Sequence, residues 1–511
     1  MLRIFIFNLS GRIILVAISL VSIPIYVKYV GVANYGIIGI YNSIASLAAV
    51  FDVAFSNTIN RELARRTSLS TDPADTGAVF RSLEIFAWVL AASFAIALAA
   101  GARPLVDDWI GAGKYPNEDI VGAIQLMGLL LLLQAPISFY GGCLYGMHKH
   151  GLINAINIAG ALLSSTFAIA TVIFVSPTIK GFFIAQFAGR AALVSGMASA
   201  AYFLLVREIG WKTLRASTKV WRRLWRFAIG MNGIGILGLI ANQADMVVLS
   251  RLLSATALGN YTLARTVSQS LVTLAMPAYQ SAFPQLSRTV SAQDSAASAH
   301  TFHRFSRFLA LIIIPPGVVI CGFSEEVLIL WTHNPTLAAS AWVTLSLLSA
   351  GSMLYGLSCM ISAVQMANGA VKMMLILGAL FVVLLVPALI FMVHIFAQAG
   401  AGLAWLIVNL AVVWASAALT LRRYMAGETL NWLTKDILVP MAAVALPVAI
   451  ARVVFSGPAG STSALATLVT LAATTPLLCA GVVPEGRAII VAALDSGVRA
   501  LKRCGTKYQR Q

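Results

Sequence analysis

The sequence predicts an all-α polytopic membrane protein with about 14 transmembrane helices. Three observations carry this. Hydrophobic residues make up 59% of the 511 positions and charged residues 10%, against roughly 45–50% and roughly 25% in soluble domains. Apolar segments of about the length that a ~30 Å hydrocarbon core requires recur along almost the whole chain. The basic residues are distributed as a membrane topology demands. The net charge of +17 therefore has a topological cause and does not call for nucleic acid. The five cysteines, Cys143, Cys321, Cys359, Cys479 and Cys504, show no CxxC spacing, so neither a zinc site nor a disulfide framework is indicated.

Taken in order, the predicted spans are 9–30, 35–60, 82–101, 120–145, 151–175 and 181–206, then 228–252, 257–283, 305–323, 338–366, 372–396, 399–421, 436–456 and 463–483. The first follows Arg3 and Arg12 as a signal peptide would. It is long enough to span and no A-x-A site follows, so it reads as a retained helix. Twelve is the alternative count, if the last two segments are peripheral. With the N-terminus inside, 27 of the 35 Lys and Arg fall in inner intervals, six in outer intervals, and Arg190 and Arg265 within spans. Both termini are then cytoplasmic.

The most basic interval between spans is 207–226. It holds seven basic residues, with Trp211, Leu214, Trp221 and Trp225 at roughly helical spacing. This is the pattern of a helix lying on a surface of anionic lipids; a solvated basic loop is the alternative. The interval separates an N-terminal six-helix lobe (1–206) from a C-terminal one (227–421), followed by helices 13 and 14 (422–483) and a basic tail (484–511). A repeat supports two pseudo-symmetric lobes. Val30-Gly31-Val32-Ala33-Asn34-Tyr35-Gly36 opens helix 2, and Ala255-Thr256-Ala257-Leu258-Gly259-Asn260-Tyr261 opens helix 8. Duplicated halves with the site between them are a transporter design.

A resemblance joins these readings. It rests on Asn8 to Arg12, Pro24 and Tyr26, Gly31 to Gly36, Asp52-Val53-Ala54-Phe55 and Asn60 to Ala64 in helices 1 and 2. Asp245 and Leu258-Gly259-Asn260-Tyr261 continue it in helices 7 and 8, and Gly400-Ala401-Gly402-Leu403-Ala404-Trp405 in helix 12. The chain resembles the polysaccharide-transport branch of the multidrug/oligosaccharidyl-lipid/polysaccharide exporter superfamily, the Wzx-type flippases. The likeness runs along essentially the whole chain and is strongest over 8–64 and 240–265. Ala54 stands where the family often has glycine. The resemblance implies two six-helix lobes around an alternately open cavity, with helices 13 and 14 outside cradling a lipid tail. It implies a polyprenyl-pyrophosphate-linked oligosaccharide, an O-antigen or exopolysaccharide repeat unit, moved from the inner to the outer leaflet of a bacterial inner membrane. A polysaccharide polymerase and export machinery are implied partners. A multidrug exporter of the same superfamily is the alternative, and a membrane-embedded polymerase or glycosyltransferase a more distant one.

Charged residues inside spans are costly and mark function by default. At ~1.5 Å rise per residue, Arg12 and Asp52 fall in the inner halves of helices 1 and 2. Arg190, Asp245 and Arg265 fall in the outer halves of helices 6, 7 and 8. The outer set carries two cations for one anion, and arginine suits a pyrophosphate because its planar fork donates two hydrogen bonds. The candidate substrate-binding residues are Arg190, Arg265, Asp245, Arg12, Asp52, Asn8 and Asn242. Buried salt bridges holding helices together are the alternative reading of the pairs, and interhelical bonding that of the amides. Pro24, Pro136, Pro277 and Pro387, with Gly141 and Gly142, are candidate hinges. Gly233, Gly235 and Gly238 match GxGxxG but no strand precedes them, so no dinucleotide site is expected. His148, His150, His300 and His303 are read as loop residues without acidic partners. No P-loop is present, and no cofactor, metal or enzymatic chemistry is expected.

Overall fold

In the computed structural model the described residues are 2–68, 73–111, 117–217, 233–454 and 461–487, with the side chains of 2–13 and 48–55 among those outside the description. Every regular element among them is helical. The helices are α1 (Leu2–Val30), α2 (Val32–Ser68), α3 (Pro73–Ala100), α4 (Asn117–Gly146), α5 (His150–Ala170, continued by a π-helical turn Thr171–Val175), α6 (Ile179–Ile209), α7 (Gly233–Leu252), α8 (Ala255–Ser291), α9 (Ser295–Gly322) and α10 (Pro335–Ala367). Val371–Tyr424 is interrupted at Ala397, whose φ of 48° and ψ of −132° are not helical, so its arms are α11 (371–396) and α12 (398–424). A π-helical turn, Trp432–Leu438, leads into α13 (Val439–Val454), and α14 is Thr462–Val482. Each predicted span thus corresponds to one helical arm, and the protein is an all-α polytopic membrane protein.

Nine helices among the described residues are long and apolar enough to cross a membrane, Val371–Tyr424 counting once. α8, 37 residues long, is not one of them. It carries Asn260, Thr262, Arg265, Thr266, Ser268 and Gln269 within three turns, a polar content that only a wet or protein-covered face tolerates. Side-chain caps start several helices. Thr178 accepts from the Gly181 amide (3.1 Å), Asp294 from Ala297 (2.8 Å), Asn334 from Leu337 (3.1 Å) and Ser461 from Ala464 (3.2 Å), each satisfying a free N–H of the first turn.

The chain forms two compact units, Met1–Thr262 with Leu385–Ile390, and Leu263–Leu384 with Phe391–Gln511. In the first, α4 packs against α2, α3 and α6, and α5 against α1 and α6. Close approach needs small residues. A Cβ on Gly142 would lie 2.7 Å from Ser56 Oγ, and one on Gly146 2.8 Å from the Asn60 carbonyl oxygen. The two repeat motifs meet here: a Cβ on Gly36 would lie 3.0 Å from the Gly259 nitrogen, and one on Gly259 2.7 Å from the Val32 carbonyl carbon. In the second unit α9 packs against α10, α13 and α14, around a core that includes Phe302, Phe323, Met360 and Trp432.

Candidate functional site

Arg190 lies on α6, in its N-terminal half, three turns on from the Thr178 cap. Its guanidinium donates to Gln134 Oε1 of α4 (3.1 Å) and sits 5.5 Å from the centre of the Tyr41 ring of α2. Phe183 packs edge-on against Tyr41 (5.5 Å) and Phe182 against Tyr26 (4.9 Å), which holds the rings in place. Among the described residues no carboxylate pairs with Arg190. A neutral amide oxygen and a π face orient the cation without neutralising it. Gln134 and Tyr41 escaped the sequence reading; only their depth in α4 and α2 hinted at a role.

Asp245 is buried on α7. The Tyr261 hydroxyl of α8 donates to one of its oxygens (2.5 Å) and the Met246 amide to the other (2.7 Å). The repeat tyrosine therefore holds this carboxylate. Asn242, one turn earlier, donates to the Gly238 carbonyl of its own helix (2.8 Å). Arg265 follows Tyr261 by four residues on α8 and belongs to the second compact unit, whereas Arg190 and Asp245 belong to the first. The side chains of Asn8, Arg12 and Asp52 lie outside the described ones.

Below Arg190 on α4 and α6 the first unit contains a cavity of about 450 Å³. Ser56 and Asn60 of α2, Ser138, Gly141 and Tyr145 of α4, and Asn157 of α5 line it, with Ile137, Ile153 and Met197 between them. Among the described residues no charged side chain does.

Two further polar clusters were not read from the sequence. Buried Glu84 of α3 accepts from Tyr140 of α4 (2.5 Å), from Tyr202 of α6 (2.7 Å) and from Arg81 (2.5 Å). Trp211 stacks on Tyr202 (5.8 Å), and the Ser217 amide donates to Ser82 Oγ (2.9 Å). The start of the basic interval is therefore docked on α3. This corrects the expectation of a surface helix from 207 onward. Gly210, with φ of +76°, ends α6; Trp211–Thr213 is a single 3-10 turn, and residues 214–217 are not helical. A left-handed residue stops the helix, and Thr213 Oγ1 bonds back to the Gly210 carbonyl (2.8 Å). The rest of the interval, 218–226, lies outside the described residues.

The second cluster corrects the reading of His303 as a loop residue without acidic partners. It is on α9, with Nδ1 2.5 Å from Asp436 Oδ2 and Nε2 3.1 Å from Glu428 Oε2. Arg307, one turn on, donates to Asp436 Oδ1 (2.8 Å) and to Glu485 Oε1 (3.3 Å). At the opposite end of α13, Arg452 pairs with buried Glu326 and lies over the Phe323 ring. Both ends of α13 are thus pinned to the α9 side of the second unit. The partners are more than a hundred residues apart in sequence, so spacing could not show them.

The family described as "Polysaccharide biosynthesis protein" matches residues 1–290. The "Putative O-antigen transporter" of Shigella flexneri is 22% identical over 405 residues, covering 78% of this chain and 93% of that protein. Among solved structures, the chain is similar to the lipid II flippase MurJ in an inward closed conformation (TM-score 0.70, 13% identity, 95% of this chain and 99% of that one). It is also similar to an inward-facing MATE family transporter of the MOP superfamily (TM-score 0.68, 15% identity, 82% and 95%). At these identities the two structures establish the fold. By the family match over more than half its length, the chain belongs to the polysaccharide biosynthesis protein family.

Proposed function

We propose that this protein is a flippase of a bacterial inner membrane that carries a polyprenyl-pyrophosphate-linked oligosaccharide from the inner to the outer leaflet by alternating access. The observation that carries the reading is Arg190, a cation inside a span whose described partners, Gln134 and Tyr41, are neutral. Such a charge persists where cavity water solvates it or an anionic ligand pairs with it. A pyrophosphate fits, because it accepts two bonds from a guanidinium fork. The family and the O-antigen transporter relative point to the same cargo class. Arg265 is the second cationic residue of this reading. Asp245, Arg12, Asp52, Asn8 and Asn242 complete the lining, and both termini and the 207–226 interval are cytoplasmic. An exporter of organic cations would place uncompensated carboxylates in its cavity; buried Glu84 is instead paired with Arg81.

The test is export in cells. Arg190→Ala removes a charge-assisted pair worth about 1.5–3 kcal/mol, so export falls roughly 10–100-fold while the inserted protein remains abundant. Lipid-linked glycans then accumulate on the inner leaflet. Arg190→Lys restores export in part, since it keeps the charge and loses the fork. Wild-type export by Arg190→Ala would overturn the assignment. So would export that Arg265→Ala abolishes and that Asp245→Asn combined with Arg265→Gln restores.

A further inference from the structure

We infer that the cavity of about 450 Å³ in the first compact unit is a binding site for an uncharged sugar ring of the cargo; this rests on the flippase reading and gives it a specificity element. Four helices line the space, and three of them bring polar residues to it. Ser138, Gly141 and Tyr145 recur at i, i+3 and i+7 along one stripe of α4, Ser56 and Asn60 at i, i+4 on α2, and Asn157 faces them from α5. Residues so spaced share one face of a helix.

The volume lies within the range of small-ligand pockets, about 300–1,000 Å³. The lining matches a pyranose in both of its aspects. Two amides and three hydroxyls offer donors and acceptors for ring hydroxyls. The Tyr145 ring and the apolar wall meet its C–H faces. Because none of the described lining residues is charged, a carboxylate-bearing sugar would lose its hydration among them without a partner, so the site selects a neutral ring.

Backbone geometry shapes the wall. Gly142 and Gly146 bring α4 against α2, whereas Gly141 is buried and yet no atom lies within 4 Å of the position its Cβ would take. Its backbone is a bare patch facing the space. The cavity also lies within reach of the cation. Ser138 is one turn from Gln134, about 6 Å, and Met197 two turns from Arg190, about 10.5 Å, along their helix axes. A ring joined to a pyrophosphate held at Arg190 therefore reaches the cavity.

Gly141→Leu tests this, since the new side chain enters open space rather than a packed contact. Purified protein is titrated with two probes: the lipid-linked glycans extracted from cells lacking the gene, and polyprenyl pyrophosphate without sugar. Wild type binds the glycan-bearing lipid more tightly. Gly141→Leu loses that affinity at least tenfold and keeps the sugar-free affinity within twofold, which also shows that it is folded. If Gly141→Leu loses both, Asn157→Ala decides, with the same selective loss expected. Unchanged glycan affinity in Gly141→Leu, or in Asn157→Ala where it decides, overturns the sugar site alone. Wild-type protein that binds neither probe overturns the flippase reading itself, and this inference with it.

Discussion

Asp436→Ala is expected to loosen the accessory pair α13–α14 by about 3 kcal/mol. The carboxylate is fully buried and anchors two groups of α9, Arg307 Nε at 2.8 Å and His303 Nδ1 at 2.5 Å. Each such charge-assisted bond contributes about 1.5–3 kcal/mol, and stripping one partner from a buried ionic cluster costs about 3–5 kcal/mol. The lower end applies because Arg307 keeps Glu485 and His303 keeps Glu428. The assay is reversible unfolding in mixed detergent micelles followed by circular dichroism. A second titration in an Arg307→Ala background completes a double-mutant cycle. There the cost of Asp436→Ala should drop by about 1.5–3 kcal/mol, the part that belonged to the lost bond. A single-variant cost below about 1 kcal/mol, the range of an exposed pair, would refute the argument. An identical cost in the two backgrounds would show that Asp436 and Arg307 are uncoupled.

Three further expectations follow from particular contacts. Gly259→Ala should lower folded yield by fluorescence-detected size exclusion more than Gly36→Ala does, because its Cβ would meet the Val32 carbonyl group, whereas that of Gly36 comes to 3.0 Å from a backbone nitrogen; overpacking of this kind costs about 1–3 kcal/mol, and the reverse order would contradict the geometry. Glu84→Gln places an amide donor among three existing donors, at a cost of about 1–3 kcal/mol; with Tyr202 released from its partner, trypsin should cut faster within 207–226, and an unchanged rate would mean that docking of the interval does not depend on Glu84. A thiol introduced by Arg215→Cys should react with an impermeant reagent in inside-out vesicles; reaction in intact spheroplasts would invert the proposed topology.

The sequence by itself determined the class, the helices and the family. Composition and span length follow from the thickness of a bilayer, and each apolar run must become a helix because no other open segment satisfies its backbone in lipid. Candidate charges were equally visible, since Arg190, Arg265 and Asp245 fall inside predicted spans. What each of them touches was decided by tertiary structure. Gln134 and Tyr41 around Arg190, Tyr261 on Asp245, and Tyr140 with Tyr202 on Glu84 come from helices whose rotation and depth one chain's periodicity does not set. The histidine reading failed for the same reason: His303 has no acidic neighbour along the chain, and its carboxylates arrive 125 and 133 residues later. The shape of the cavity lay beyond sequence reasoning. Gly141 and Gly142 look alike in the chain, and only packing makes one a contact and the other an open wall, because a void is defined by the absence of atoms that other helices did not supply.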